Sequence, residues 1–361
     1  MNDKLSIIIP FVNEWPQVIW TIQGLAQELL DKVDFEIIAI NNWCKEVENQ
    51  KANNRDLGKI IRSIESTPFI LKRDEPEYIS QLKQKFGVME DKGYAYLDNV
   101  SDGNKWLKVL HYDDKLSHWN AKKMGISHAT GDTLFFCDAH CLISKNALLD
   151  MFITYKNNDI NGTFHLPLTY QIMEWRTLIY GLKDDRDKGR VGYRFSQLKA
   201  THKFSPIPSH SLLTEKADSF VMEVPCMSSC GMMITKDIYY KTGGWPSNLG
   251  IYGGGENFMN FVLSVLGYSK YIFGRKPLFH HGERRSYSYN YLDMEKNRMI
   301  ATYLFGGKEW LAKYVDHTRG DAGLLFKTSQ DVLKENNEQR KFIGSHSKFT
   351  IDEWLDEWKL K

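Results

Sequence analysis

The sequence predicts an α/β domain built on a mixed, mostly parallel sheet flanked by helices. Short, mostly apolar runs at residues 5–9, 35–40 and 134–137 lead to polar residues at Asn13, Asn41 and Asp138. Runs that are mostly apolar, broken only at Ser6 and Glu36, rather than regularly alternating, indicate buried strands. Between the first two, Val18, Ile22, Leu25 and Leu29 recur at helical spacing, which makes a right-handed strand–helix–strand opening.

The first run is β-branched and is followed by Pro10, which predicts a buried strand stopping at a turn. Pro16 then opens the helix, and the second strand ends in Asn41-Asn42. Residues 45–104 are rich in Lys, Glu, Asp and Asn, with weak periodicity at Leu57, Ile60, Ile61 and Ile64, and read as a helical surface insertion. A third strand follows at 106–111, then a helix from His118 that feeds the central strand behind Gly131-Asp132. Phe258, Phe261, Val262 and Leu266 mark a later helix, and 268–273 a later strand. Thr350-Ile351-Asp352-Glu353 fits a capping box, with Ile351, Trp354, Leu355 and Trp358 forming a stripe for docking or dimer contact. The expected organisation is one catalytic domain over 1–315 and a helical extension over 316–361.

Composition narrows the function classes. A net charge of +2 with 25% charged residues supplies no global basic field of the kind that marks nucleic-acid binders. Five cysteines are an odd count without framework spacing, so a reducing compartment is expected, with Cys226 and Cys230 as small buried hydrophobes. Met1-Asn2-Asp3-Lys4 leads straight into the first strand, and no run reaches the roughly 18 apolar residues of a membrane span. A soluble cytoplasmic protein is the expectation.

Asp138 and His140 fall at the carboxyl end of the central strand, the end at which open α/β sheets bind ligands. Two apart on an extended chain, they can point the same way and grip one divalent cation. The plainer alternative is a turn in which Asp138 caps the next segment. Asn13 and Glu14 after the first strand, and Asn41 and Asn42 after the second, share that sheet edge and can frame a base and ribose. No Gly-x-Gly-x-x-Gly follows the first strand, so a dinucleotide fold is disfavoured and a cation is needed to hold phosphates.

Ser6-Ile7-Ile8-Ile9-Pro10-Phe11-Val12-Asn13-Glu14, Asn120-Ala121-Lys122-Lys123-Met124-Gly125 and Gly131-Asp132 with Asp138-Ala139-His140 resemble the family-2-type glycosyltransferases of the GT-A fold. The Asp-x-His motif is similar to that of the polypeptide N-acetylgalactosaminyltransferases. Cys230-Gly231-Met232-Met233-Ile234, Thr242-Gly243-Gly244-Trp245 and Ile251-Tyr252-Gly253-Gly254-Gly255-Glu256-Asn257 resemble that family's acceptor-side motif. His280-His281-Gly282-Glu283-Arg284 resembles its later His-x-x-Arg segment, which supplies a third metal ligand.

The resemblance implies a sugar transferred from a nucleotide donor, most simply UDP-linked, with Mn2+ or another divalent cation on Asp138, His140 and His281, His280 being the alternative ligand. Pro10, Phe11, Asn13, Glu14 and Asn41 would bound the nucleoside, with His118, Asn120 and Lys122 near it or its phosphates. Arg284 would meet the diphosphate from a lid that also carries Arg285, Tyr287, Tyr289 and Tyr291. Glu256 and Asn257 would serve the reaction centre, although Glu256 also fits a plain helix-terminal carboxylate. The family's uracil-contacting Asp is replaced by Asn41 or Asn42, whose amide can still pair with uracil. Likeness to the N-acetylgalactosaminyltransferases implies retention, whereas in inverting relatives a carboxylate near Glu256 would act as base. Protein, glycan and hydroxylated DNA base all fit as acceptor. Two rivals stand beside this reading: a non-catalytic nucleotide-sugar or glycan binder, and a nucleotidyltransferase, which would open on a glycine-rich basic loop that this chain lacks.

Overall fold

The computed structural model describes residues 4–12, 14, 17–47, 101–169, 179–185, 190–196, 203–204, 221–273, 276–280 and 289–358. The predicted insertion lies almost wholly outside them, as does Pro16. In chain order the first elements are β1 (Leu5–Phe11), α1 (Gln17–Leu29), β2 (Phe35–Asn41), β3 (Leu107–His111), α2 (His118–His128), β4 (Thr133–Phe136), β5 (Cys141–Ile143) and α3 (Ala147–Asn157). Then come β6 (Gly162–His165), β7 (Leu168–Thr169), β8 (Ile179–Asp185), β9 (Arg190–Ser196), β10 (Lys203–Phe204), β11 (Val221–Glu223) and β12 (Met232–Thr235). The rest is α4 (Lys236–Lys241), α5 (Gly255–Val265), β13 (Ser269–Phe273), β14 (Leu278–His280), α6 (Tyr291–His317), α7 (Ala322–Glu335), α8 (Asn337–His346) and α9 (Ile351–Glu357). The strands form the mixed, mostly parallel, helix-flanked sheet that the sequence predicts. Two compact units result, one of residues 1–149, 168–176 and 277–288, the other of 150–167, 177–276 and 289–361.

In the first unit β4, β1, β2 and β3 lie side by side, all parallel. Their apolar residues are the core: Leu5, Ile7, Ile8, Ile9, Ile37, Ile38, Ile40, Leu134, Phe135 and Phe136 are all buried. Helix α1 turns Val18, Ile22, Leu25 and Leu29 inward, as its spacing predicts. The expected stop at Pro10 is not observed, because β1 runs on through it to Phe11. Ile8 offers its carbonyl to Cys137 on the β4 side and Phe11 offers its own to Asn42 on the β2 side. By alternation Pro10 faces the β4 side, where its missing N–H cannot supply the next rung to Cys137, so the β1–β4 ladder ends there while the β1–β2 ladder runs on to Phe11.

A charge sits inside this apolar sheet. Glu36 on β2 is buried, and its Oε1 accepts from Ser6 Oγ at 2.7 Å, Thr130 N at 2.6 Å and Thr130 Oγ1 at 2.8 Å, while Lys108 Nζ lies 2.6 Å from Oε2. Burial works to raise its pKa, but the Lys108 contact and the Thr130 and Ser6 hydrogen bonds outweigh it and hold the carboxyl at about 2. Gly131 N–H completes the seam by donating to Ser6 Oγ at 2.9 Å. A Cβ at Gly131 would run into the Lys4 carbonyl, so the turn before the central strand needs glycine.

The second unit orders its strands β10, β11, β13, β6, β12, with only β13 and β6 parallel, and carries β8 and β9 as a separate antiparallel pair. Helix α5 is gripped by α6 and α9: Phe261 meets Phe305 at 4.9 Å and Trp354 at 6.1 Å between ring centroids. The predicted capping box is present, with Thr350 and Glu353 each accepting from the other's backbone N–H. The terminal stripe is therefore a docked helix, with Ile351, Trp354 and Leu355 buried. All five cysteines are buried thiols. Among the described residues no helix is long and apolar enough to cross a membrane.

Candidate functional site

The chain leaves β4 at Phe136 and turns immediately, and α1 fixes that turn from below. The buried Thr21 hydroxyl lies 3.0 Å from the Ala139 carbonyl and 2.9 Å from that of Cys141, and accepts from Cys141 N–H at 2.9 Å. Asp138 and His140 are thereby held at the carboxyl end of the parallel strands. From Cys141 the chain enters β5, which pairs antiparallel with β14 so that Cys141 stands opposite His280. Strand pairing thus delivers His280 beside His140.

The result is three donor atoms converging on one point. His280 Nε2 lies 3.1 Å from Asp138 Oδ2 and 3.2 Å from His140 Nε2, with the two rings edge to face. Ligands set at right angles around one ion at about 2.1 Å are about 3 Å apart. One carboxylate and two imidazoles at these separations fit a divalent cation, and Asp138, His140 and His280 form a candidate metal site. His280 is the alternative that the sequence left open. His281 lies outside the described residues.

Charge around the site is arranged to suit. The other ring nitrogen of His140, Nδ1, lies 3.9 Å from Glu14 Oε1, beyond hydrogen-bond distance but close enough for the two to attract when the imidazole is charged. Glu14 is itself fixed, because Oε2 accepts from Val12 N–H at 2.7 Å. Lys122 is buried, with Nζ 3.9 Å from Asp138 Oδ1 and 5.0 Å from the centroid of the Trp119 ring. Burial would raise the Asp138 pKa, but the His280 hydrogen bond and the positive charge of Lys122, His280 and His140 overcome it and keep the carboxyl below the usual range.

The expected nucleoside residues sit at the same end of the same strands. Phe11 pairs with Asn41 and Pro10 with Ile40. Asn41 Oδ1 accepts from Trp43 N–H at 3.1 Å. Asn42 is committed to structure: its amide donates to the Tyr112 and Lys115 carbonyls and its Oδ1 accepts from Ser117 N–H at 2.8 Å. Of the two asparagines, Asn42 is the one more fully engaged by the fold. Ser117 caps α2, placing His118 and Asn120 in the helix's first turn. Asn13, Arg284, Arg285 and Tyr287 lie outside the described residues.

In the second unit Glu256 and Asn257 begin α5, after Gly254 at φ 73°. A Cβ on Gly254 would collide with the Asn297 carbonyl, so the helix enters over α6 only with glycine there. Glu256 is more than a helix-terminal charge. Its Oε1 accepts from Ser228 Oγ at 2.9 Å, Ser229 N at 3.0 Å and Ser229 Oγ at 3.4 Å. One turn on, Asn260 takes both the N–H and the carbonyl of Met227, at 2.9 and 2.8 Å. The Tyr252 ring lies against that of the exposed Tyr289, tilted by 39° at 4.5 Å between centroids.

No family model matches the chain. It is 22% identical over 220 residues to N-acetylgalactosaminyltransferase 6 of Drosophila melanogaster, a match that takes in 60% of this chain and 31% of that protein. With human polypeptide N-acetylgalactosaminyltransferase 15 it is 22% identical over 213 residues, 58% of this chain and 32% of the relative. The crystal structure of GalNAc-T7 with UDP, GalNAc and Mn2+ superimposes with a TM-score of 0.65 at 15% identity, over 98% of this chain and 56% of that one. The chain has the GT-A fold and is a distant homologue of the polypeptide N-acetylgalactosaminyltransferases. The matches span about a third of the curated relatives' length.

Asp138, His140, His280, Glu14 and Lys122 are brought together by β1, α2, β4, β5 and β14, all in one unit. Ser228 and Ser229 were not anticipated as site residues. They sit between Cys226 and Cys230 in a short loop, and the only signal in the sequence is a polar pair in an otherwise apolar stretch.

Proposed function

We propose that the chain is a metal-dependent glycosyltransferase that takes a UDP-linked sugar and transfers the sugar to an acceptor hydroxyl. The observation that carries the reading is the convergence of Asp138 Oδ2, His140 Nε2 and His280 Nε2 at the carboxyl end of parallel strands. It is supported by the fold shared with a protein solved with UDP, GalNAc and Mn2+.

When bound, a divalent cation, Mn2+ first, neutralises diphosphate oxygens and the charge developing on the leaving group. Asp138, His140 and His280 would hold it, with Glu14 near the outer nitrogen of His140. Lys122 adds fixed positive charge beside Asp138. Pro10, Phe11 and Asn41 bound the nucleoside, with the Asn41 amide toward uracil and His118 and Asn120 flanking it. Arg284 meets the diphosphate. Glu256 orients a sugar or acceptor hydroxyl, with Asn257 beside it. Because Oε1 of Glu256 already accepts three hydrogen bonds, the residue suits a fixed acceptor better than a mobile base, in keeping with retention.

The test incubates the purified chain with a panel of nucleotide sugars and of protein, glycan and hydroxymethylated-DNA acceptors, with Mn2+ or with excess chelator, and reads products by mass spectrometry. Turnover of a UDP-sugar only with metal supports the assignment. Undiminished turnover in chelator removes the metal role, and transfer of a nucleotidyl group in place of sugar replaces the reaction class.

A further inference from the structure

Glu256 is held by a turn whose own hydrogen bonds leave it no freedom, and this defines a role for Ser228. Ser228 Oγ accepts from Cys230 N–H at 3.1 Å, which turns its single hydrogen toward Glu256 Oε1 at 2.9 Å. The Ser228 carbonyl is met by His165 Nδ1 at 3.1 Å, and His165 Nε2 by Thr163 Oγ1 at 2.7 Å, so the backbone of the turn is braced from β6. Asn260, one helical turn after Glu256, clamps Met227 through both backbone groups and also donates to the Glu256 carbonyl at 2.9 Å. Both serines are buried. The hydrogen bonds that reach the carboxylate from the described residues all end on Oε1.

We infer that Ser228, with Ser229, is a positioning pair that fixes the Glu256 carboxylate by Oε1 and presents Oε2 to a substrate hydroxyl. The inference rests on the transferase reading and names what makes Glu256 rigid in it. A carboxylate on a two-carbon stem samples several rotamers in water, whereas one anchored by three donors presents its second oxygen in one direction. Such an arrangement spends no ordering entropy at the moment of reaction.

The experiment is a double-mutant cycle in transfer kinetics on the full chain, using Ser228→Ala, Glu256→Gln and the pair, with Ser228→Thr as the conservative variant. Ser228→Ala is expected to lower kcat roughly tenfold with the KM for donor within about twofold, the pattern of a contact made chiefly in the transition state. In the Glu256→Gln background the same change should cost less than about twofold, because residues acting through one another are non-additive. Ser228→Thr, which keeps the hydroxyl, should recover most of the loss. Equal losses in both backgrounds overturn the positioning role while leaving the transferase reading standing. Absence of sugar transfer by the wild-type chain overturns the reading and the inference together.

Discussion

The Nε2 atoms of His140 and His280 face each other at 3.2 Å, with Asp138 Oδ2 3.1 Å from the second of them. Two imidazole nitrogens aimed at one another need a proton or a cation between them. His280→Ala should weaken Mn2+ binding by about 10²-fold or more, since losing a direct ligand costs at least as much as losing a partner that only orients one. His281→Ala should leave it within a few-fold. Calorimetric titration of Mn2+ into both variants decides which histidine is the ligand, and the reverse ranking would reassign it.

Asp138→Ala should abolish metal-dependent transfer with a change in stability of no more than about 1–2 kcal/mol, since a half-buried residue at a strand end carries little of the core. Denaturant unfolding and turnover on one preparation check both halves. A collapse in stability would make Asp138 structural.

UDP should raise the melting temperature only when Mn2+ is present, because no glycine turn follows β1 to cradle a diphosphate unaided. At a hundredfold excess over the dissociation constant the gain is about 2.7 kcal/mol. Equal stabilisation with and without metal would contradict the bridge, and a stronger shift with another nucleotide would correct the base that Asn41 is taken to read.

Glu36 predicts a pH dependence separate from the site. Its folded pKa is about 2 against an ordinary 4.5, so its contribution is complete above the unfolded value and is lost as pH falls through the window from about 4.5 to 2. The shift corresponds to about 3 kcal/mol at neutral pH. Glu36→Gln should remove most of that and flatten the stability curve between pH 4.5 and 2, read by urea unfolding at a series of pH values. An unchanged slope would show that the Ser6, Thr130 and Lys108 contacts add nothing net.

Much of this was legible in the sequence, and the remainder was hidden for physical reasons. Doubly covered strands write themselves as apolar runs, so β1, β2 and β4 and the helix between the first two were readable. Asp138 and His140 were readable because a strand end is also a sequence boundary. The choice between His280 and His281 was not, because it depends on β5 pairing β14 with Cys141 opposite His280, and a one-residue slip would present the other side chain. Pro10 misled because it ends the pairing with β4 only, while β2 keeps β1 extended beyond it. Ser228 and Ser229 lie in a loop too short for any periodicity, and Glu36 is a lone charge whose partners come from three other segments.

Glu256 carries the last prediction, and Gln is the substitution that separates its two roles. A glutamine keeps one carbonyl oxygen, able to accept from Ser228 and Ser229 as Oε1 does now, so the turn and the start of α5 should hold. The change falls at the other end, where an acceptor oxygen becomes an NH2 donor. If that end meets a hydroxyl of the sugar or acceptor, turnover should fall by roughly 10²-fold while UDP and Mn2+ affinities stay within a few-fold. If Glu256 only completes a helix terminus, the substitution should cost about 0.3–1 kcal/mol of stability and spare transfer. Calorimetry for donor affinity and mass spectrometry for transfer, on the same protein, separate the cases. Near-normal transfer would reduce Glu256 to the brace of the 227–230 turn, and Ser228 with it.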